Sequence, residues 1–378
     1  MKKKSLIVLA LCALATCAAG KASAENGLNV QAKAAALIER ESGRVLYAQN
    51  EEAALPMAST TKVMTALLAL EHGGLDEVVT VGRNAFGVPG TSIYLSEGER
   101  ITLRDLLYGL MLASGNDAAV AIAEHVDGSV EAFCRHMTQR ARELGCEKTT
   151  FVNPNGLPVS GHCTTALELA LIAREAMRHE LFRQMVSTQR ASIPWEGRGY
   201  DRVLSNKNRL LSEYDGATGI KTGYTKAAGR CLVFGAKRDG LELIGVVLNC
   251  PDWFEEAKRL LDDGFARYES FTAYGAGETV RVAAVENGKQ QTAVLALAQE
   301  LKAVIPKGEL PSLELDVPDT LAAGLAKGEA VGMARLVLEG EVLAQSPVVL
   351  AETLAERDYL FEVERMLDRW IPFPVVAD

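Results

Sequence analysis

Apolar residues change their period along the chain, and the changes mark the elements. Ala34–Ile38 and Val45–Ala48 flank the polar stretch Glu41-Ser42-Gly43-Arg44, which predicts a hairpin over 31–50. A mostly apolar run from Val63 to Leu70 predicts a helix that stops at Gly73-Gly74. Val78–Val81 and Ser92–Leu95 alternate over a few residues and predict short strands. Helices are predicted over Leu106–Leu112, Ala118–Val126, Val130–Leu144 and Thr164–Arg178, with a loop at Thr149–Leu157 and an irregular stretch over 192–216. Cys231–Ala236 and Leu241–Leu248 are apolar runs joined by Asp239-Gly240, a strong hairpin signal beside the expected strand Gly219–Thr225. Asp252–Tyr268 has the spacing of an amphipathic helix that packs back on the sheet.

From Gly277 the period shortens. Val280–Val282, Thr292–Leu295, Leu313–Val317, Gly332–Leu338 and Pro347–Leu350 are separated by Gly, Pro or Asn, which predicts a small β-sandwich. Glu356–Trp370 then places Tyr359, Leu360, Val363, Met366, Leu367 and Trp370 at helical spacing. The expected class is therefore α+β: an antiparallel sheet flanked by helices over residues 25–275, a β-sandwich over 276–355 and an amphipathic tail over 356–378.

Composition sharpens this picture at the N-terminus. Lys2, Lys3 and Lys4 precede an apolar run from Leu6 to Ala19 and an Ala22-Ser23-Ala24 site, so residues 1–24 are expected to be a secretory signal peptide. An alternative is acylation at Cys17. Cleavage after Ala24 removes four lysines and no acids, taking the formal charge from −9 to −13. That excludes a nucleic-acid binder relying on basic surface. Cys134, Cys146, Cys163, Cys231 and Cys250 form no Cys-x-x-Cys, and the five histidines His72, His125, His136, His162 and His179 form no metal-binding pair in sequence. They are expected as small buried hydrophobes and as surface or helix-end residues respectively. No metal and no cofactor is implied.

Three short motifs carry the candidate chemistry. Ser59 and Lys62 are three apart at a helix start after Pro56, so the amine can reach the hydroxyl. A serine becomes nucleophilic when a neighbouring base takes its proton, and a lysine is such a base once its pKa is lowered. Ser114-Gly115-Asn116 falls on a tight link between two apolar helices, and Lys221-Thr222-Gly223 on a strand where the missing side chain of Gly223 lets backbone approach a ligand. Each alone is commonplace: a helix start, a helix break, a strand.

Together and in this order they resemble the penicillin-recognising serine enzymes, since Ser-x-x-Lys, Ser-x-Asn and Lys-Thr-Gly are the signature of class A β-lactamases and penicillin-binding proteins. Pro56–Lys62 and Asn153-Pro154-Asn155-Gly156-Leu157 narrow the resemblance to the low-molecular-weight penicillin-binding proteins, the serine D-alanyl-D-alanine carboxypeptidases of peptidase family S11, over residues 28–275. The resemblance implies a β-lactamase/transpeptidase-like fold and a nucleophile, Ser59, that is acylated by peptidoglycan stem peptides ending in D-Ala-D-Ala. It implies Lys62 as base, Ser114 as proton relay, Asn116 as orienting amide, and Lys221, Thr222, Gly223 and Tyr224 as the substrate-binding strand. β-Lactams would inhibit it. It further implies a role in cell-wall biogenesis and shape at the outer face of the cytoplasmic membrane or in the periplasm, with the tail touching the membrane. Tyr224 stands where some relatives carry His, and no Glu-x-x-Leu-Asn occurs near Glu168, which implies slow release of bound penicillin. The rivals are a class A-like β-lactamase and a catalytically silent scaffold of the same fold.

Overall fold

The computed structural model describes residues 27–370; the expected signal over residues 1–24 and the end of the tail lie outside the described residues. Contacts divide the chain into two units, one of 27–237 with Glu242–Leu261, the other of Arg238–Leu241 with 262–370.

In the first unit a five-stranded sheet runs in the order Val45–Gln49, Ala34–Glu39, Leu241–Leu248, Gly229–Arg238, Ala217–Thr225. The two expected hairpins form two of its adjacent pairs. Ala34–Glu39 lies antiparallel to both Val45–Gln49 and Leu241–Leu248, in register from Ala34 opposite Leu248 to Glu39 opposite Leu243. Ala217–Thr225 pairs on one side only, with Gly229–Arg238, so the strand bearing Lys221-Thr222-Gly223 is an edge of the sheet. The helix Lys62–His72 is buried from Lys62 through Ala69, as expected for a helix apolar on every face. Met64, Leu67 and Leu68 share one core with Leu106, Phe133, Met137 and Phe182 from the surrounding helices.

Some sequence expectations are overturned here. Ser92–Leu95 is not a strand: the backbone N–H groups of Ile93 and Leu95 donate to the buried Asp117 carboxylate at 3.1 and 3.0 Å instead of to a neighbouring strand. Ile93 and Leu95 still point inward, which is why the stretch alternates like a strand. The helix expected over Thr164–Arg178 forms as Ala166–Ala176, capped by the Thr165 hydroxyl accepting from Glu168 N–H, and a further helix that was not expected, Glu180–Ser187, follows it. The stretch 192–216 contains a ribbon, Arg190–Ile193 with Arg202–Ser205, and a short helix Leu210–Glu213. The five described cysteines form no disulfide, and all but Cys163 are buried.

The second unit has a six-stranded sheet in the order Ser312–Asp316, Ala330–Leu338, Glu341–Leu350, Thr292–Leu297, Thr279–Glu286, Thr320–Ala322. All neighbours are antiparallel except the last pair. A two-stranded ribbon, Tyr268–Tyr274 with Leu301–Pro306, packs Ala303 and Ile305 against Leu336. The tail forms the helix Tyr359–Trp370.

Candidate active site

Ser59 sits in a single 3-10 turn, Ala58–Thr61, that feeds directly into the helix Lys62–His72. The turn is set by its own hydroxyls: Thr60 Oγ1 donates to Met57 O at 2.6 Å and Thr61 Oγ1 to Ala58 O at 2.8 Å. Ala58 takes a left-handed conformation, φ +49°, which is costly for a residue with a Cβ and persists only where surroundings enforce it. In a 3-10 turn residues three apart eclipse. Lys62 Nζ accordingly lies 2.9 Å from Ser59 Oγ.

The Lys62 amine also donates to Asn116 Oδ1 at 2.7 Å and to the Asn155 carbonyl at 2.6 Å. Among the described residues it has no carboxylate within ion-pairing distance, and it is fully buried. Burial therefore pulls its pKa well below the ordinary lysine value of 10.5, and the charges of Lys221 and Lys207 pull it further. Lys221 is itself buried, and burial with the nearby Lys207 brings it down to about 7. Its Nζ donates to Thr222 O at 3.1 Å.

Asn116 opens the helix Asn116–Asp127 and is committed on both ends of its amide, with Nδ2 donating to Pro89 O at 2.6 Å. Ser114, two residues earlier, ends a π-helical turn over Gly109–Ala113 in the left-handed conformation, φ +66°. It is almost buried, and its hydroxyl has no hydrogen-bond partner among the described residues. Gly223 touches the nucleophile's backbone: a Cβ there would meet Ser59 N at 2.8 Å and Thr60 N at 3.0 Å. The Thr222 side chain is buried, whereas Tyr224 is 62% exposed. Beside the turn is an open recess of about 320 Å³, lined by Pro56, Met57, Ala58, Gly156, Val159 and Thr225 among others.

Five further residues belong to this constellation, and none lies in the three catalytic motifs. The Asn155 carbonyl accepts from Lys62, and Gly156 next to it lies so close that a Cβ would reach within 1.9 Å of Ala58 O. The loop was legible as Asn153-Pro154-Asn155-Gly156; its contact with the nucleophile was not. His162, expected at the surface or a helix end, is buried under the turn. Its Nδ1 accepts from Val152 N–H at 3.0 Å, which leaves Nε2–H to donate to Thr61 Oγ1 at 2.8 Å. Burial lowers its pKa to about 4, so it is neutral there. Asp117 takes Ser92 Oγ–H at 2.6 Å along with the Ile93 and Leu95 amides, fixing the loop that holds Pro89 against Asn116. Lys207, exposed at the surface, depresses both catalytic-region lysines.

A serine turn at the head of a buried helix, facing the edge strand of a five-stranded sheet, defines the penicillin-binding/transpeptidase fold. The known proteins agree. The profile described as D-alanyl-D-alanine carboxypeptidase matches residues 19–252, and that described as penicillin-binding protein 5, C-terminal domain, matches residues 268–356. D-alanyl-D-alanine carboxypeptidase DacF of Bacillus subtilis is 35% identical over 365 residues, 94% of this chain and 93% of the relative. DacC of Escherichia coli is 32% identical over 354 residues, 89% and 87% of the two chains. Penicillin-binding protein 5 from Haemophilus influenzae superposes with a TM-score of 0.73 at 28% identity, covering 87% of this chain and 99% of that one. A variant of the Streptomyces K15 DD-transpeptidase superposes with a TM-score of 0.61 at 32% identity, over 63% of this chain and 99% of its own. The chain belongs to the D-alanyl-D-alanine carboxypeptidase family, and its activity is that of the family.

Proposed function

We propose that Ser59 is the nucleophile through which this chain removes the terminal D-alanine of peptidoglycan stem peptides. The observation that carries this reading is the 2.9 Å contact between Ser59 Oγ and a buried Lys62 amine that no carboxylate ion-pairs among the described residues. A neutral Lys62 takes the hydroxyl proton as Oγ attacks the carbonyl between the two D-alanines. The C–N bond breaks, Ser114 passes a proton to the leaving amine, and an ester to Ser59 remains. Water, deprotonated along the same path, hydrolyses the ester and restores the hydroxyl.

Lys221 and Thr222 hold the substrate's terminal carboxylate, whose charge favours the protonated form of Lys221. Gly223 and Tyr224 present backbone along which the extended peptide adds to the open sheet edge. Backbone N–H groups of Ser59 and Tyr224 stabilise the oxyanion, typically worth about 2.7–4 kcal/mol per donor. Asn116 aims Lys62.

β-Lactams acylate the same serine and leave slowly. Supporting this, the Glu168 carboxylate is already engaged by Lys148 N–H at 2.8 Å and Thr149 Oγ1 at 2.5 Å, so it is not poised to activate water. D-alanine release from a pentapeptide, with fluorescent-penicillin labelling, tests the reading: both vanish in Ser59→Ala if it holds. Labelling that survives this substitution refutes it, and penicillin turnover at β-lactamase rates refutes the slow release.

Two finer readings concern location. We propose export with cleavage after Ala24, tested by sequencing the N-terminus of exported protein. The tail helix lies on the membrane surface; its exposed Tyr359, Leu360, Met366, Leu367 and Trp370 support this. No described helix is long and apolar enough to cross a membrane. Pelleting with vesicles by the full chain and by a 355-residue truncation alike would overturn the tail's role.

A further inference from the structure

His72 and His125 are far apart in sequence and form no metal-binding pattern there. The fold brings them together. His72 is the last residue of the helix Lys62–His72, and His125 lies in the last turn of the helix Asn116–Asp127. Their rings meet edge to face with centroids 5.7 Å apart. Glu77, on the loop leaving the first helix, points its carboxylate between them: Oε2 is 3.0 Å from His125 Nε2 and 4.0 Å from His72 Nε2. One ligand atom from each residue lies within 4.8 Å of the others.

We propose that His72, Glu77 and His125 bind a divalent transition-metal ion, zinc being the best fit to two imidazoles and a carboxylate. Ligands about 2.0–2.2 Å from a tetrahedral zinc are roughly 3.4 Å from one another, so this trio closes on an ion by an adjustment of about an ångström. The groups are partly exposed, which leaves the side chains room for that adjustment and leaves water to complete the coordination. The rest of the frame is fixed. Both histidines sit at the ends of helices whose earlier turns are buried, Lys62–Ala69 and Asn116–Ala123, and the turn before Glu77 is closed by Glu77 N–H donating to Gly74 O at 2.8 Å. The two helices joined this way carry Lys62 and Asn116 at their opposite ends, where Nζ and Oδ1 are 2.7 Å apart. The ion ties the far ends of a pair already tied at the reacting end. It touches no reacting atom, so the site is structural.

The test is equilibrium dialysis of the full chain against micromolar zinc, in a Cys163→Ser background that removes the one partly exposed described thiol. One equivalent is expected, with the affinity falling at least tenfold in His72→Ala and in His125→Ala. D-alanine release by each variant serves as the folding control. Zinc is expected to raise the melting temperature of the parent and not of the double variant. No zinc retained by the parent, or unchanged retention in the double variant, overturns the proposal and leaves the serine chemistry untouched.

Discussion

The two units treat polar side chains in opposite ways. In the first, Lys62, Lys221, Asn116, Asp117, His162 and an ion pair between Arg202 and Glu99 at 2.6 Å are all buried. In the second, Ser346 is the only polar side chain among the described residues that is buried, and the core is Leu295, Leu297, Leu301, Val348 and Leu350 with their neighbours. Burying an amine without a counter-ion costs stability and depresses its pKa. In the mechanism proposed above that cost serves the chemistry, because a lysine whose pKa burial has lowered is a better base toward serine. Among its described residues the second unit buries no amine, and its core is apolar apart from Ser346.

That contrast can be broken in stages. Lys62→Met, which keeps the length and apolar stem, should slow penicillin acylation by about 10²–10⁴-fold while the chain still folds; stopped-flow labelling with circular dichroism measures both. Leu295→Ala in the second unit should do the reverse, costing about 2–5 kcal/mol in that unit's denaturant unfolding with no change in the acylation rate. An equal loss of rate would show that the two units are not separable in function.

His162 sharpens the comparison through pH. In the folded chain it stays neutral down to about pH 4. In the unfolded chain an imidazole protonates near pH 6.5. Between those values the unfolded state holds the extra proton, so this contribution is complete above the unfolded pKa and is lost as pH falls toward the folded one. Between pH 7 and pH 4.5 the wild type should lose about 2–3 kcal/mol more than His162→Gln. The smallest effect is expected from Lys207→Gln. Its charge lowers both Lys62 and Lys221, so its removal should move the acidic limb of kcat/KM upward by less than about one pH unit. A shift downward would contradict the electrostatic account.

The catalytic motifs were legible because each is local: Ser59 and Lys62 are one turn apart, and Lys221-Thr222-Gly223 is one strand. The groups that complete the site were not, because they arrive from far along the chain. Asn155 meets Lys62 across 93 residues and His162 meets Thr61 across 101, distances at which spacing carries no information. Ser92–Leu95 misled for a different reason. Two inward apolar residues imitate a strand's alternation, and nothing nearby reveals that Asp117 would take the backbone amides. In the second unit the strands with clear alternation were found. Tyr268–Tyr274 was missed because it follows the preceding amphipathic helix without a break, Leu301–Pro306 because its consecutive buried residues Ala303–Ile305 break the alternation, and Thr320–Ala322 because it is only three residues long.

Gly156 and Gly223 both press bare backbone against the segment that presents the reactive hydroxyl, one against Ala58 and one against Ser59 and Thr60. Neither position has room for even a methyl group. A laboratory search for altered substrate preference that randomises them should return inert protein. Diversity placed at Tyr224, whose ring already reaches into solvent from the same strand, should instead yield variants that keep the chemistry and change which peptides are taken.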